Sequence, residues 1–398
     1  MAEYLKRSKA LRSQEDPSLM TTVREMLEKI RAEGEPAVAR YARDLDGWDG
    51  DFVMSGQKKA ALIAQVPSQT QDDLQFAHRQ VVRFAEAQLG SLTEFELPTE
   101  PGVTLGQRLV PVQNVGCYVP GGRYAHAASA LMSIATAKVA GVPNVMACSP
   151  PHDGSIHPAV VYAMDLAGAD LILEMGGVQA IAAMAFGLFG NQPADMLVGP
   201  GNSYVAAAKK LLFGEVGIDM VAGPSEVSII ADKNSKPDWI ASDLIAQAEH
   251  DFFAQSILIS NDKNLIKLVN LNLKLQLKNL PKKNIASKSL KNYGLAIYTK
   301  NKKIISDVVN IIAPEHLEII FTKNKKILKS IKNAGSIFIG KFSPEAMGDY
   351  IAGPNHVLPT SGAAKFSSGL SVNDFLKRQS VIKITKSGIE RLGPSVIN

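Results

Sequence analysis

The stretch VGCYVPGGRYAHAASALMSIATAKVAGVPNVMACS, residues 115–149, predicts one complete strand–helix–strand unit. Its first six residues form an apolar run that ends in a Gly-Gly turn. An alanine-rich helical segment follows, and NVMACS is a second short apolar run. When a helix joins two such strands, the strands run parallel to each other in the sheet, because the helical crossover returns the chain to the same end of the sheet.

The same alternation of strand and helix patterns continues to residue 214 and resumes from 225 to 340. Residues 1–90 are polar with helical spacing of apolar residues. The sequence therefore predicts an α/β fold with two Rossmann-like parallel-sheet domains, a helical N-terminal segment and a C-terminal tail. The predicted boundaries are 1–114 for the helical segment leading into the first α/β domain, 115–222 and 223–365 for the two Rossmann-like domains, and 366–398 for the tail.

Glycines are concentrated in the loops that follow the first set of strands: Pro120-Gly121-Gly122, Gly176-Gly177 and Gly199-Pro200-Gly201-Asn202. Ligands of open α/β sheets bind at these strand ends, and each loop leads into a helix N-terminus suited to phosphate. No G-x-G-x-x-G motif is present, and any one of these loops alone is more typical of a tight turn than of a ligand site. Three together, with the polar groups Tyr118, Gln179 and Asn202, predict a nucleotide cofactor.

Composition is typical of a water-soluble globular protein, with 46% hydrophobic and 20% charged residues. No apolar run approaches the roughly 18 residues of a membrane helix, and the N-terminal stretch lacks the apolar segment of a secretory signal. The two cysteines, Cys117 and Cys148, indicate a reducing compartment. These features predict a cytoplasmic protein without a membrane partner.

The net charge of +5 is unevenly distributed along the chain. Residues 261–398 contain 21 Lys, 2 Arg and 8 acidic residues. A basic half can bind nucleic acid, but these lysines are scattered over predicted helical faces with little Arg and few aromatic residues between them. We interpret them as solvated faces and expect no nucleic-acid partner.

Residues Ala222–Asp251 carry polar groups at both ends of a predicted strand–loop–helix segment. Ser225 follows a Gly-Pro corner, and Gln247 and His250 stand at i and i+3 on one helical face. An amide oxygen and an imidazole on one face can hold a metal or a polar substrate. The alternative, a solvated helix end with a histidine that suits the helix dipole, is equally consistent with this segment alone.

Two further polar stretches lie in the second half. APEHLE places Glu315 and His316 side by side before a predicted strand, as a general base and its partner would be, although an ordinary loop has the same pattern. EAMGDYIAGPNHVLPTSG contributes Asp349, Asn355 and His356. Asp349 can complete an oxygen and nitrogen ligand set with Gln247 and His250, which suits zinc but needs a fourth ligand.

The chain resembles the histidinol dehydrogenase family over essentially its whole length. The resemblance rests on specific motifs, listed in chain order: GCYVPGGR, TAKVAGVP, GGVQAIAAMAFG, VGPGNSYVAAAKKLLFGEVGIDMVAGPSEV, DLIAQAEHD, APEHLE, NAGSIFIG and GDYIAGPNHVLPTSGAAKFSSGLSV. It implies an NAD-dependent enzyme that oxidises L-histidinol to L-histidine in two steps through a bound aldehyde. It also implies a role in histidine biosynthesis, one zinc ion per subunit and a homodimer.

The resemblance implies a role for each matched residue. Zinc would be held by Gln247, His250 and Asp349, and Glu315 and His316 would be the catalytic pair, with Glu315 activating water in the second oxidation. Tyr118, Gln179 and Asn202 would contact NAD, so that 115–222 would be the NAD-binding domain and 223–365 the domain with the metal and catalytic residues. The substrate would contact the following residues: Ser225, Gln247, His250, His316, Asp349 and His356.

Two departures from the family pattern affect these expectations. The family continues beyond RLGPSVIN into a tail that supplies a Glu for the substrate and a fourth, His, zinc ligand, and no His follows His356. The tail is therefore predicted to be truncated, which leaves open a catalytically impaired relative. The stretches GGRYAHAASALMSIATAKVAGV and AFGLFGNQPADMLVGPGN are more similar to the sulfopropanediol dehydrogenase branch, so a small sulfonated diol or another polyol is the alternative substrate.

Overall fold

The computed structural model describes residues 3–6, 8, 17–121, 125–281, 283–321 and 325–398. Gly122 of the predicted Gly-Gly turn lies outside these residues. Within them the strands are β1 (Glu3–Lys6), β2 (Phe95–Glu100), β3 (Val103–Pro111), β4 (Asn114–Tyr118), β5 (Asn144–Ser149), β6 (Leu171–Glu174), β7 (Met196–Val198), β8 (Gly217–Ile218), β9 (Glu226–Ala231), β10 (Gln255–Ser260), β11 (Leu295–Tyr298), β12 (His316–Ile319), β13 (Ser336–Ile339) and β14 (Leu376–Ile384).

The helices of the described residues connect most of these strands. They are α1 (Pro17–Glu33), α2 (Glu35–Tyr41), α3 (Gly56–Ile63), α4 (Ser68–Gly90), α5 (Ala127–Val139), α6 (Pro158–Ala167), α7 (Gly177–Phe186), α8 (Ser203–Leu212), α9 (Pro237–Ala248), α10 (Lys263–Lys278), α11 (Lys283–Tyr293), α12 (Lys302–Ile312), α13 (Lys325–Ser330), α14 (Glu345–Tyr350) and α15 (Lys386–Ile397).

The chain divides into two compact units. The first unit comprises Val23–Asp219 and Leu370–Asn398, and the second comprises Met1–Thr22 and Met220–Gly369. Each contains a sheet with parallel strands and helical crossovers, which confirms the predicted α/β class with two Rossmann-like sheets.

The first unit contains a parallel sheet in the order β6-β5-β4-β7-β8. The chain runs outward from β4 in one direction and then returns to β7 on its other side, so the strand order reverses at β4. A crevice outside the carboxyl ends of the strands forms at such a reversal and is the usual ligand site of an open α/β sheet. Tyr118 at the end of β4 and the Gly199 loop after β7 both lie at this point.

The second unit contains a six-stranded sheet in the order β1-β11-β10-β9-β12-β13, in which β1 runs antiparallel to β11. Its central strand β9 is buried along its whole length, and alternate residues pack on opposite faces. Ile229 contributes to the core beneath α9 and α10, whereas Ile230 packs with Ile305 and Val309 of α12 on the other face. A strand that is covered on both faces has a nearly continuous apolar sequence, as residues 225–232 (SEVSIIAD) do within the predicted strand–loop–helix segment.

A third, antiparallel sheet in the order β14-β3-β2 corrects the predicted boundaries. The N-terminal segment was predicted as helical but contains β1, β2 and β3, and the segment 366–398 was predicted as a separate tail. Instead, β14 pairs with β3 from Leu376 opposite Pro111 to Ile384 opposite Val103, within the first unit. Most residues of β14 are exposed, and its first half is polar, so only the short stretch VIKI at its end resembles a strand sequence.

A buried ion pair holds the glycine loop after β7. The ammonium group of Lys209 pairs with Asp219, and their side chains are 3% and 1% exposed. Lys209 also donates to the carbonyl oxygen of Gly199 (3.0 Å), while Asp219 accepts from the Gly199 amide (2.7 Å). Gly199 has a φ of +108°, and a Cβ there would lie 2.0 Å from the carbonyl oxygen of Tyr118. Only glycine fits this approach of two backbones.

We expect Lys209→Met to lower the free energy of unfolding by about 3–5 kcal/mol, because it removes one partner of a buried ion pair. Urea unfolding monitored by circular dichroism measures the change. Lys210→Met, at an exposed position of the same helix, is the control and should change stability by less than about 0.5 kcal/mol. Equal effects of the two substitutions would contradict the role of the pair.

Candidate active site

The predicted Glu315–His316 pair lies at the amino end of β12, and both residues are buried. Helix α12 ends at Ala313, which adopts a left-handed conformation (φ 52°), and Pro314 prevents the helix from continuing. The chain then turns directly into β12. This termination places the two side chains inside the second unit instead of in an exposed loop.

His316 is surrounded by carboxylates. Its Nδ1–H donates to the carbonyl oxygen of Glu226 (3.2 Å), and Nδ1 lies 3.6 Å from both Glu315 Oε2 and Glu345 Oε1. Its Nε2 lies 3.2 Å from Asp349 Oδ1. Burial alone would lower the pKa of the imidazole, but the three carboxylates raise it well above its usual value.

Glu315 and Glu226 form a second buried acidic pair. The backbone amide of Glu226 donates to Glu315 Oε2 (2.8 Å), and Glu226 Oε1 accepts from the amide of Ser361 (2.6 Å). The hydroxyl of Ser225 also hydrogen-bonds Glu315. Burial raises the pKa of both carboxyls to about 7. A carboxyl that titrates near neutral pH is suited to act as a general base.

A group of possible metal ligands lies beside His316. Single ligand atoms of His250, Glu345 and Asp349 all lie within 4.8 Å of one another. Burial would raise the pKa of Asp349, but its contact with His316 lowers it below the usual value, so the carboxylate is ionised. Imidazole nitrogen and carboxylate oxygen are ligands that zinc takes. The surrounding carboxylates favour a cation, so these residues fit a zinc ion.

Gln247 and His356 adjoin this group. With its amide oriented to satisfy its neighbours, Gln247 donates to both carboxylate oxygens of Glu345 (2.8 and 3.2 Å). His356 Nδ1–H donates to the backbone carbonyl of Asp349 (2.8 Å). A cavity of about 350 Å³, partly apolar, lies alongside Asp349 and His356. The structure thus gathers every predicted catalytic, metal and substrate residue into one part of the second unit, while their roles stay predictions.

Sequence reasoning missed Glu345 and gave no role to Glu226. A signal for Glu345 was present, because Glu345 and Asp349 stand at i and i+4 in EAMGD and share a helical face. Glu226 gave no such signal, because it precedes the β-branched run of β9 as any strand residue could.

The three residues predicted to contact NAD lie near the carboxyl ends of the strands in the first unit. Tyr118 is buried, and its hydroxyl accepts from the amide of Gly177 (3.2 Å) at the start of α7. The side chain of Gln179 is buried and donates to Asp46 (2.7 Å). Asn202 caps α8, with its oxygen accepting from two helix amides (3.0 and 3.1 Å).

These residues fit a bound polar ligand such as NAD. The Oε1 atom of Gln179 is buried and has no hydrogen-bond partner among the residues that the structure describes, and such atoms are rare unless a ligand or water satisfies them. The glycines nearby serve close packing: a Cβ on Gly121 or Gly176 would lie 2.4 or 2.5 Å from the Pro150 ring. These two glycines therefore allow the chain to pack closely against Pro150, which brings two of the loops together.

Comparison with known proteins identifies the family. A family model described as histidinol dehydrogenase matches residues 9–398. The chain belongs to the histidinol dehydrogenase family. Histidinol dehydrogenases are NAD-dependent oxidoreductases that act on CH–OH donors, so the chain is an enzyme of this class.

Individual family members support this assignment. A solved histidinol dehydrogenase from Elizabethkingia anophelis is 36% identical with a TM-score of 0.92, covering 98% of this chain and 89% of the other. Histidinol dehydrogenase from Gluconobacter oxydans is 41% identical over 97% of this chain and 90% of its own length. Sulfopropanediol 3-dehydrogenase from Ruegeria pomeroyi is 42% identical over 94% of this chain and 87% of its own length. Overall identity therefore does not separate the two substrates.

Removing the buried carboxyl of Glu226 should change how stability depends on pH. Because its pKa is raised from 4.5 to about 7, its stabilising contribution is complete below about pH 4.5 and is lost as the pH rises through about 7. The variant Glu226→Gln should not lose stability in this way, because the glutamine side chain does not ionise. Relative to wild type, its free energy of unfolding should rise by about 2.5 kcal/mol between pH 5 and pH 8.

Urea unfolding at the two pH values tests this expectation. Glu28→Gln, which removes an exposed carboxylate on α1, should follow the wild-type dependence. If Glu226→Gln also followed the wild type, the carboxyl would not titrate near neutral pH.

Proposed function

We propose that this protein is an NAD-dependent dehydrogenase that oxidises L-histidinol to L-histidine through L-histidinal in two NAD-linked steps, with bound zinc. The first unit would bind NAD through Tyr118, Gln179 and Asn202. The second unit would hold the alcohol and the metal. The observation that carries the choice of substrate is the charge of the site in the second unit.

Acidic groups outnumber basic ones in this site. Among the described residues, His316 is the only ion-pair partner of three carboxylates, which belong to Glu315, Glu345 and Asp349. A ligand that brings positive charge is stabilised in such a site, whereas an anion is repelled. Histidinol carries an ammonium group and an imidazole that can bind a metal, whereas a sulfonated diol carries a negative charge. The electrostatics therefore favour the amino alcohol.

The chain's own residues supply the proton transfers. With Nδ1 of His316 held by the Glu226 carbonyl, Nε2 is the ring atom left to exchange a proton. We assign Nε2 of the neutral imidazole, the form favoured once a bound cation offsets the carboxylates that raise its pKa, to accept the hydroxyl proton of the alcohol in the first oxidation. Glu315 removes a proton from water as the water oxygen adds to the aldehyde carbon, and His316 returns its proton to the aldehyde oxygen, which gives the hydrate and leaves the imidazole neutral. His316 then takes a hydroxyl proton of this hydrate as it is oxidised to the carboxylate.

The cofactors complete the chemistry when they are bound. NAD accepts one hydride in each oxidation, and zinc held by Gln247, His250 and Asp349 orients the amino alcohol. Ser225 and His356 would contact the substrate, together with Gln247, His250, His316 and Asp349. We also propose that the enzyme is cytoplasmic, forms a homodimer and acts in histidine biosynthesis, which the family resemblance supports. In the described residues, no helix combines the length and apolar character needed to cross a membrane.

The second candidate substrate is a small sulfonated diol, which the relative named sulfopropanediol 3-dehydrogenase favours. Purified protein loaded with zinc would be incubated with NAD and either L-histidinol or the sulfonated diol. NADH formation, followed by absorbance, should occur with histidinol at two equivalents per alcohol consumed. NADH with the sulfonated diol and none with histidinol would refute the primary proposal.

Substitution of either proton-transfer residue should reduce turnover by about 10²- to 10⁴-fold. Glu315→Gln and His316→Asn are close in shape to the native residues, so the fold should be retained, as circular dichroism would verify. His78→Asn, on α4 of the first unit, should leave turnover unchanged. Near-normal turnover in both active-site variants would show that the bases have been assigned wrongly.

A further inference from the structure

Glu345 is held firmly at the start of α14. Its side chain is buried, and its backbone amide donates to Oε1 of the buried Glu318 (2.9 Å). Asp349 follows one helical turn later on the same face. The backbone of Glu345 is therefore anchored, and its buried carboxylate lies 3.6 Å from Nδ1 of His316.

The carboxylate of Glu345 determines how Gln247 is oriented. Both carboxylate oxygens lie within hydrogen-bond distance of one end of the Gln247 amide, at 2.8 and 3.2 Å. That end is assigned as the NH₂ group, because its two hydrogens can be donated to both oxygens, whereas an amide oxygen there would find no donor on the ionised carboxylate. Gln247 is fully buried, so solvent cannot satisfy the alternative orientation. Its carbonyl oxygen then lies at the end of the amide turned away from Glu345, where a lone pair can bind a metal.

We propose that Glu345 is a positioning residue of the zinc site, which holds the amide of Gln247 so that its carbonyl oxygen is available as a ligand. The inference rests on the zinc site of the proposed function. Carboxylates that hydrogen-bond a metal ligand commonly fix its orientation and raise metal affinity. The competing role, direct coordination by Glu345, arises because its carboxylate lies within 4.8 Å of ligand atoms of His250 and Asp349.

A charge-matched comparison first tests whether zinc binding needs an oxygen acceptor at position 345. Glu345→Gln and Glu345→Met both remove the negative charge, but only Gln retains an oxygen that accepts from Gln247. Zinc affinity of the metal-free protein, measured by competition with a chelator, should be about 10- to 100-fold weaker for Glu345→Met than for Glu345→Gln. Equal affinities would overturn the proposal. Thermal unfolding checks that both variants are folded.

The same comparison in a Gln247→Met background completes the test. If Glu345 acts through Gln247, the difference between Met and Gln at position 345 should disappear, because there is no amide to position. A difference that persists would mean that Glu345 binds zinc itself and would overturn the proposal. Zinc binding is read without substrate, so failure of the proposed alcohol chemistry is detected separately. A wild-type protein that takes up no zinc would contradict the proposed metal site as well.

A second pair of variants tests the proposal if Glu345→Met does not fold. Gln247→Glu places a carboxylate against Glu345 and should weaken zinc binding. Adding Glu345→Gln restores the hydrogen bond with donor and acceptor exchanged, so the double variant should bind zinc more tightly than Gln247→Glu alone. A double variant no tighter than the single one would overturn the role of the hydrogen bond.

Discussion

The burial of His316 among carboxylates is the constraint on which the rest of the second unit depends. Charges removed from water are tolerated only when they are paired, protonated or matched by a bound cation. One imidazole cannot balance four acidic side chains, so burial raises the pKa of Glu226 and Glu315 to about 7 and that of Glu345 to about 8. The same imbalance makes the site receptive to a metal and an ammonium group.

This arrangement is assembled from the ends of secondary-structure elements. Strands β9 and β12 are neighbours, with His316 opposite Val227, which places the Glu226 backbone next to the imidazole. Helix α14 brings two carboxylates to the same point. The cluster lies at the amino ends of the parallel strands of the second unit, whereas the NAD-contact candidates lie near the carboxyl ends of the strands in the first. The general rule for α/β sheets therefore locates only one of the two ligand sites.

Sequence reasoning predicted the parts of this molecule that have a local signal. Apolar runs marked the parallel strands. The i, i+3 spacing predicts Gln247 and His250 on one helical face, but α9 ends at Ala248 and His250 lies in the turn that follows. Their proximity to Asp349 and His316 depends on long-range packing, and only the family resemblance implied it. Strand β14 could not be predicted, because its residues are exposed and its partner β3 is distant in the chain. Backbone carbonyls such as that of Glu226 carry no sequence signal at all.

Each unit contains a strand that is distant from the rest of that unit in the sequence: β1, near the N-terminus, belongs to the second unit, and β14, near the C-terminus, belongs to the first. During synthesis on the ribosome, one edge of β3 therefore stays unpaired until residues 220–369 of the second unit have been synthesised, because β14 follows them in the sequence. The first unit cannot complete its antiparallel sheet during translation, although its parallel sheet can form. An unpaired edge strand is an aggregation hazard. We therefore expect that neither fragment produced by cutting the chain after residue 219 would fold completely, and that each would be prone to aggregate.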